Sequence, residues 1–365
     1  PMPTLHRPDG TFAYSAPDKE DLMITNLQLP VNPEGANFDE THRETIEEEV
    51  RIILEAERRA LPSKEGVRHP HERSYNKPIL LREIAAALSN SSPNKAWGRD
   101  GIPTKALKAG GPIMLKLLLK LFNASLDLGH LPSAWKCADV IFLPKGAKPR
   151  YLHTSYRPIS LLSCTGKLME KVLGYRLREE MESNSMISNK QFGFRQQLSC
   201  MDALTSVTDK ILEHSYPDER PQKPPKRTEP LMPKGAELPT LVASLDFSKA
   251  YDRVWTTGLI WKLRKQYKIR GALLLWIADF LTQRKARARY LHTYSDDKTL
   301  ETGLPQGSVL APILFILFLD DLLKKLPDDS VAAFADDMNL IARRATQAEA
   351  AYELSGLLKI ADDWA

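Results

Sequence analysis

Val331-Ala332-Ala333-Phe334-Ala335-Asp336-Asp337-Met338-Asn339-Leu340-Ile341-Ala342 is the stretch that decides the fold. Two short apolar runs flank one pair of carboxylates, the pattern of two buried strands joined by a tight turn. Aspartate tolerates turns, so an acidic pair at a hairpin tip is ordinarily no more than turn chemistry. The chain supplies its own controls, because Asp-Asp occurs at 296–297, 320–321, 328–329, 336–337 and 362–363. The first lies in a polar loop and the third follows Pro327 in a turn. Asp320 and Asp321 precede Lys324 and Lys325 at i,i+4, as on a solvated helix face, and Asp362-Asp363 ends an amphipathic helix. Asp336-Asp337 alone is apolar on both sides. Two negative charges beside a core cost several kcal/mol unless a cation or hydrogen bonds compensate, and a divalent metal does so economically.

Asp246 is the second carboxylate of interest. It closes the apolar run Leu241-Val242-Ala243-Ser244-Leu245 and precedes a turn and a helix from about residue 251. Alone it reads as a helix cap. Together with the hairpin pair it completes three carboxylates from two adjacent strands, a set able to hold two Mg²⁺ ions for phosphoryl transfer. Such chemistry needs positioning and charge neutralisation rather than a histidine or cysteine.

The rest of the chain sets bounds. Its 365 residues suffice for two or three compact units, and 42% hydrophobic content suits a protein with a real core. Cys137, Cys164 and Cys200 lack zinc-type spacing and read as reduced thiols of an intracellular protein. The start at Pro1, without a signal peptide, suggests a piece of a longer protein. The apolar run 309–319 is too short to span a bilayer. Net charge is only +5, yet 141–200 holds ten basic residues against four acidic ones, a moderate polyanion-binding signal.

Residues 1–37 contain prolines without periodicity and read as a linker or extended arm. Thr41-His42-Arg43-Glu44 resembles a capping box opening a helix to about residue 60. Further helices are expected near 80–88, 113–126, 166–181, 201–212, 255–267, 272–281, 309–326 and 346–364, and strands near 140–143, 155–161, 241–245 and 286–292. Pro158 argues that its strand lies at a sheet edge. Residues 216–240 hold seven prolines and read as a flexible surface insertion; its Lys223-Pro224-Pro225-Lys226-Arg227 has the composition of a nuclear import signal, but a solvated linker is the better explanation.

Seven segments in fixed order resemble reverse transcriptases, most closely the non-LTR (LINE-like) retrotransposon type of the jockey-related branch. They are 94–103, Phe142-Leu143-Pro144-Lys145, Tyr156-Arg157-Pro158-Ile159-Ser160, Gln191-Phe192-Gly193-Phe194-Arg195, 244–252, Gly303-Leu304-Pro305-Gln306-Gly307-Ser308 and Phe334-Ala335-Asp336-Asp337. The resemblance implies an α+β right-hand polymerase with an antiparallel palm sheet packed by helices. Its divisions would be an N-terminal extension (1–74), fingers (75–200) and a palm (201–365, with the insertion 216–240). It implies RNA-directed DNA synthesis on a primer 3′-hydroxyl from dNTPs, with two Mg²⁺ ions, or Mn²⁺ in their place.

The same resemblance assigns residues. Asp246, Asp336 and Asp337 would be catalytic metal ligands, with the Phe247 carbonyl as a further oxygen. Lys145, Arg157, Tyr251 and Gln306 would bind dNTP, Tyr251 as the aromatic wall that excludes a 2′-hydroxyl. Gly98, Gly101, Lys190, Arg195 and Gly307 would approach template or primer. The implied partners are an RNA template, a DNA primer or target, dNTPs and other domains of a larger polyprotein (endonuclease, thumb, RNase H), with no membrane. The implied location is nucleus and cytoplasm, as a ribonucleoprotein. The family would continue with the rest of motif D, including a lysine, then a primer grip and thumb, and none of these is present in this chain, which stops at Trp364-Ala365. Trp97 stands where the family commonly has proline. Two other readings stay open: a non-catalytic nucleic-acid-binding palm, and an RNA-templated RNA polymerase.

Overall fold

The structure, a computed structural model, describes residues 2–27, 39–61, 73–146, 148–212 and 238–364. In chain order its elements begin with β1 (Leu5–His6), β2 (Phe12–Ala13), α1 (Ala16–Thr25) and α2 (Glu40–Arg59). Then come α3 (Leu81–Ser89), α4 (Thr104–Ala109), α5 (Gly111–Asp127), β3 (Cys137–Pro144), β4 (Tyr156–Leu161) and α6 (Cys164–Ser183). α7 (Cys200–Leu212), β5 (Thr240–Asp246), α8 (Thr256–Lys265), α9 (Gly271–Leu281) and β6 (Arg284–Tyr290) follow. β7 (Thr293–Tyr294), β8 (Lys298–Leu300), α10 (Ala311–Lys325), β9 (Val331–Phe334), β10 (Asp337–Arg343) and α11 (Gln347–Trp364) complete the fold, an α+β arrangement.

Two compact units result, Pro1–Met186 with Lys249–Phe315 and Ile187–Ser248 with Ile316–Ala365. In the larger unit a mixed sheet runs β4-β3-β6-β7, with β8 also on β6. β3 and β6 are parallel while β3 and β4 form an antiparallel hairpin. β4, which carries Pro158, is indeed an edge strand. Residues 2–27 are folded, contrary to the extended arm expected. A Ser15–Asp18 capping box starts α1, whose Ile24 packs with Val140, Ala286 and Ala288 of the sheet. Short strands around an Asp9-Gly10 turn show no periodicity that a sequence window can detect. α2 is capped by the Asp39 side chain, which accepts from the His42 N–H at 3.0 Å, two residues ahead of the expected Thr41 box. Arg264 pairs with Glu57 of α2 at 2.8 Å.

The smaller unit is built on the antiparallel sheet β5-β10-β9. α7 packs on β9 and β10, and α11 packs on β10 and β5. Val331, Ala332 and Ala333 are buried on β9, as are Met338, Leu340, Ile341 and Ala342 on β10, so this sheet is a core element. Asp320, expected on a solvated face, is instead fully buried. It accepts the Ser188 N–H at 2.7 Å and is paired with Lys324. Asp321 accepts from the Trp364 indole at 2.9 Å. The proline-rich stretch lies mostly within 213–237, outside the described residues.

Candidate active site

Phe334 pairs with Asp337, so Ala335 and Asp336 are the two central residues of a tight hairpin. On the other side of β10, Asp337 is the direct cross-strand partner of Asp246 on β5. Residues directly opposite in an antiparallel pair project to the same face with Cβ atoms about 5 Å apart. The sequence therefore folds three carboxylates to one end of one sheet. Asp246 and Asp337 are exposed and Asp336 half-buried. The next pair inward on that face is neutral, Ser244 donating to Asn339 Oδ1 at 2.7 Å.

Like charges directly opposite destabilise a strand pair. Neither the Asp246 nor the Asp337 carboxylate has a hydrogen-bond or ion-pair partner among the described residues. A hard cation with oxygen ligands fits that donor set. Among the described residues no three His, Cys, Asp or Glu side chains form a ready cage. An open set is the usual arrangement for Mg²⁺, which keeps waters and takes substrate phosphates beside one or two carboxylates.

The hairpin turn is strained and held. Ala335 has φ +58°, a left-handed conformation that costs a residue with a side chain about 1–2 kcal/mol. The fully buried Gln191 spans its backbone: Oε1 accepts the Ala335 N–H at 2.9 Å, and Nε2 donates to the Ala335 carbonyl at 3.3 Å. The same Oε1 accepts the Gly193 N–H at 2.8 Å. Any Cβ on Gly193 would lie 2.3 Å from the Ala335 nitrogen, so only glycine permits this approach. Gln191 also bridges to Ala333, the Phe192 N–H donating to the Ala333 carbonyl at 2.8 Å. The Gln-Phe-Gly segment is thus a clamp on the carboxylate turn, a role the residue types alone did not announce.

The larger unit carries the other expected residues. Lys145 lies just past β3, its N–H donating to the Ser155 carbonyl and its ammonium to the Thr154 carbonyl at 3.1 Å. Arg157 sits opposite Leu143 on β4, so the pleat puts Arg157 and Lys145 on one face of this hairpin. Arg157 is exposed, without a partner among the described residues. Tyr251 lies in a turn rather than at a helix start and stacks on Phe315, ring centroids 4.8 Å apart. Gln306 donates from Nε2 to Asp252 at 3.0 Å, and its carbonyl accepts the Ser160 N–H at 2.7 Å. Burial pushes the Asp252 carboxyl above its ordinary range, opposed by the Gln306 hydrogen bond and by the charges of Lys249, Lys145 and Arg284. Arg284 is itself buried, which brings its guanidinium down to about 10. Asp252 is therefore a holder of Gln306 that sequence reasoning left out; its place six residues after Asp246 was the available signal.

Several expected nucleic-acid contacts have other work. Lys190 is buried, donating to the Leu323 and Leu326 carbonyls at 2.9 and 2.6 Å and pairing with Asp328. It closes the C-terminal end of α10 instead of facing a template, as the helix dipole favours. Arg195 donates to the Ser188 carbonyl at 3.2 Å. Gly98 packs on the Leu162–Ser163 backbone, 2.6 Å from where a Cβ would stand. Gly307, at φ +120°, packs likewise on the Ser160 carbonyl, and Gly101 makes a left-handed turn at φ +66°. Phe247 follows β5 with its ring edge-on to Trp364.

A family profile described as "Reverse transcriptase (RNA-dependent DNA polymerase)" matches residues 143–364, more than half of the chain. Among curated proteins, the chain is similar to the "Probable RNA-directed DNA polymerase from transposon BS" of Drosophila melanogaster. The identity is 31% over 295 residues, covering 79% of this chain and 30% of that protein. It is 27% identical over 373 residues to the "RNA-directed DNA polymerase from mobile element jockey" of the same organism, covering 100% of this chain and 36% of the relative. A transposon X-element polymerase of D. melanogaster is 29% identical over 294 residues, 79% of this chain and 30% of the relative. The chain thus spans about a third of the length of these relatives.

Replacing Gln191 by Leu leaves two buried N–H groups unpaired, at about 1–3 kcal/mol of stability each. Hydrogen exchange at the Ala335 amide is expected to accelerate by roughly tenfold or more. Unchanged exchange there would show that the turn does not depend on the clamp.

Proposed function

We propose that this chain, which belongs to the reverse transcriptase family, is the fingers-and-palm part of an RNA-directed DNA polymerase of a non-LTR retrotransposon. The observation that carries the reading is the register setting Asp246 against Asp337, with Asp336 at the adjoining turn. The β5-β10-β9 unit is read as the palm centre, and the larger unit as the bearer of the fingers hairpin. Asp246, Asp336 and Asp337 would hold two Mg²⁺ ions, which when bound supply neutralisation of the attacking 3′-oxygen and the leaving pyrophosphate. The exposed acids need no rearrangement of the core to accept them.

The remaining roles belong to side chains. Lys145 offers a point charge and Arg157 a forked guanidinium, a pairing suited to a triphosphate. Tyr251, braced flat against Phe315, is a stiff wall for the sugar. Gln306 has its amide oriented by Asp252, so its geometry is set before a base pair arrives. An RNA template, a DNA primer, dNTPs and further polyprotein domains are the partners this reading takes, in a nuclear and cytoplasmic ribonucleoprotein. No helix among the described residues is long and apolar enough to cross a membrane.

RNA-templated primer extension by the chain is the test: Asp336→Ala should lower dNTP incorporation by roughly 100-fold or more, the scale of losing one electrostatic group at a reacting centre. Equal incorporation by variant and parent would end the assignment and favour a non-catalytic binding role. Tyr251→Val separates DNA from RNA synthesis, because it should raise rNTP use relative to dNTP. An unchanged ratio of kcat/KM values would remove Tyr251 as the sugar discriminator.

A further inference from the structure

A lysine-lined cavity lies in the larger unit, and none of the residues given a role above lines it. Its volume is about 210 Å³, and Lys95, Lys167 and Lys171 line it over a floor of Leu107, Leu168 and Val309. No Asp or Glu lines it. The volume is below the roughly 300–1,000 Å³ of drug-sized ligand sites, so the occupant is a small group or one protruding part of a polymer.

The lysines are placed by helix geometry. Cys164, Lys167, Leu168 and Lys171 recur at i, i+3, i+4 and i+7 on α6, one face turned to the cavity. Lys171 is tied down, its ammonium donating to the Asn90 carbonyl at 2.7 Å and to Ser91 Oγ at 3.3 Å. The Lys95 and Lys167 ammonium groups have no hydrogen-bond or ion-pair partner among the described residues. Burial depresses the Lys167 ammonium, opposed by the nearby Glu170, Cys164 and Asp100 and reinforced by Lys95; burial, with Lys95 and Lys108, depresses Lys171.

The nearest acids are engaged elsewhere. Glu170 is buried and accepts from Ser308 Oγ and from the Val309 and Leu310 N–H groups at 2.8 and 3.2 Å. Asp100 accepts from Ser163 and from the Ile102 N–H. Three ammonium groups are thus gathered round one hollow whose described lining holds no carboxylate, with Glu170 and Asp100 outside that lining. An entering anion would offset the mutual repulsion of the three ammonium groups.

We infer that this cavity binds a phosphate group, held by the Lys95, Lys167 and Lys171 ammonium groups. A phosphate fits by size and charge, and ammonium groups bind it as point charges without a fixed fork. Two sources share that chemistry, a phosphodiester of single-stranded RNA and free inorganic phosphate. The inference goes beyond the polymerase reading and needs no catalysis, so its failure is separable from a failure of the carboxylate centre.

Two readouts on the full chain test it, with Lys95→Gln/Lys167→Gln compared with the parent. In the first, single-stranded RNA binding is followed by fluorescence anisotropy across a KCl series. Loss of this one phosphate contact should flatten the slope of log K against log salt by roughly 0.7. In the second, line broadening of the ³¹P resonance of inorganic phosphate should be present with the parent and lost with the variant. A change in both identifies RNA as the source, and a change in the phosphate arm alone identifies the free anion. No difference in either arm overturns the inference. Lys167→Arg keeps the charge and should preserve both signals; if it behaves as the glutamine variant does, the lysines are structural and the site is refuted.

Discussion

Everything at the carboxylate end of this protein depends on one pairing register, that of β10 with β5. Seven consecutive residue pairs, from Arg343 with Thr240 to Asp337 with Asp246, lock the two strands together. A slip by one residue would send every side chain of β10 to the opposite face. Met338, Leu340 and Ala342 would leave the core, so burial enforces the alignment that also sets two acids side by side. The apolar residues determine where the acids stand. What those acids lose in mutual repulsion, the core of the same strands offsets.

The turn that carries Asp336 depends on a second constraint from another part of the chain. A non-glycine residue at φ +58° persists only where its surroundings over-determine it. One buried amide, using both its oxygen and its nitrogen, supplies that here, and the missing side chain of Gly193 lets it come close. Asp252 plays a comparable part for Gln306 in the larger unit. In both cases a group that touches no substrate fixes one that would.

Much of this was legible because hydrophobic period reports on burial. The hairpin, the strand ending at Asp246 and helices such as α6 and α11 all have one apolar face or run, and Pro158 marked an edge through its missing N–H. Other features were hidden for identifiable reasons. Asp320 and Lys324 have the spacing of a surface pair, and only tertiary packing shows that the carboxylate is enclosed and bonded to the Ser188 backbone. Lys190 beside a Gln-Phe-Gly-Phe-Arg segment suggested a phosphate contact, yet its ammonium closes a helix end more than 130 residues away in sequence. The glycines at 98 and 307 are present for backbone approach, as expected, but the backbone they meet is the protein's own. Residue type reveals what chemistry is available, whereas long-range pairing decides what it is used on.

The central claim is that Asp246 and Asp337 are held in opposition by the sheet and wait for a cation. Thermal unfolding of the parent and Asp337→Asn, each with and without Mg²⁺, tests it most directly. Relief of like-charge repulsion between exposed groups should leave metal-free Asp337→Asn as stable as the parent or a few tenths of a kcal/mol more stable. Mg²⁺ should raise the Tm of the parent and have little effect on the variant. A variant that is less stable without metal and gains as much from Mg²⁺ as the parent would contradict the account.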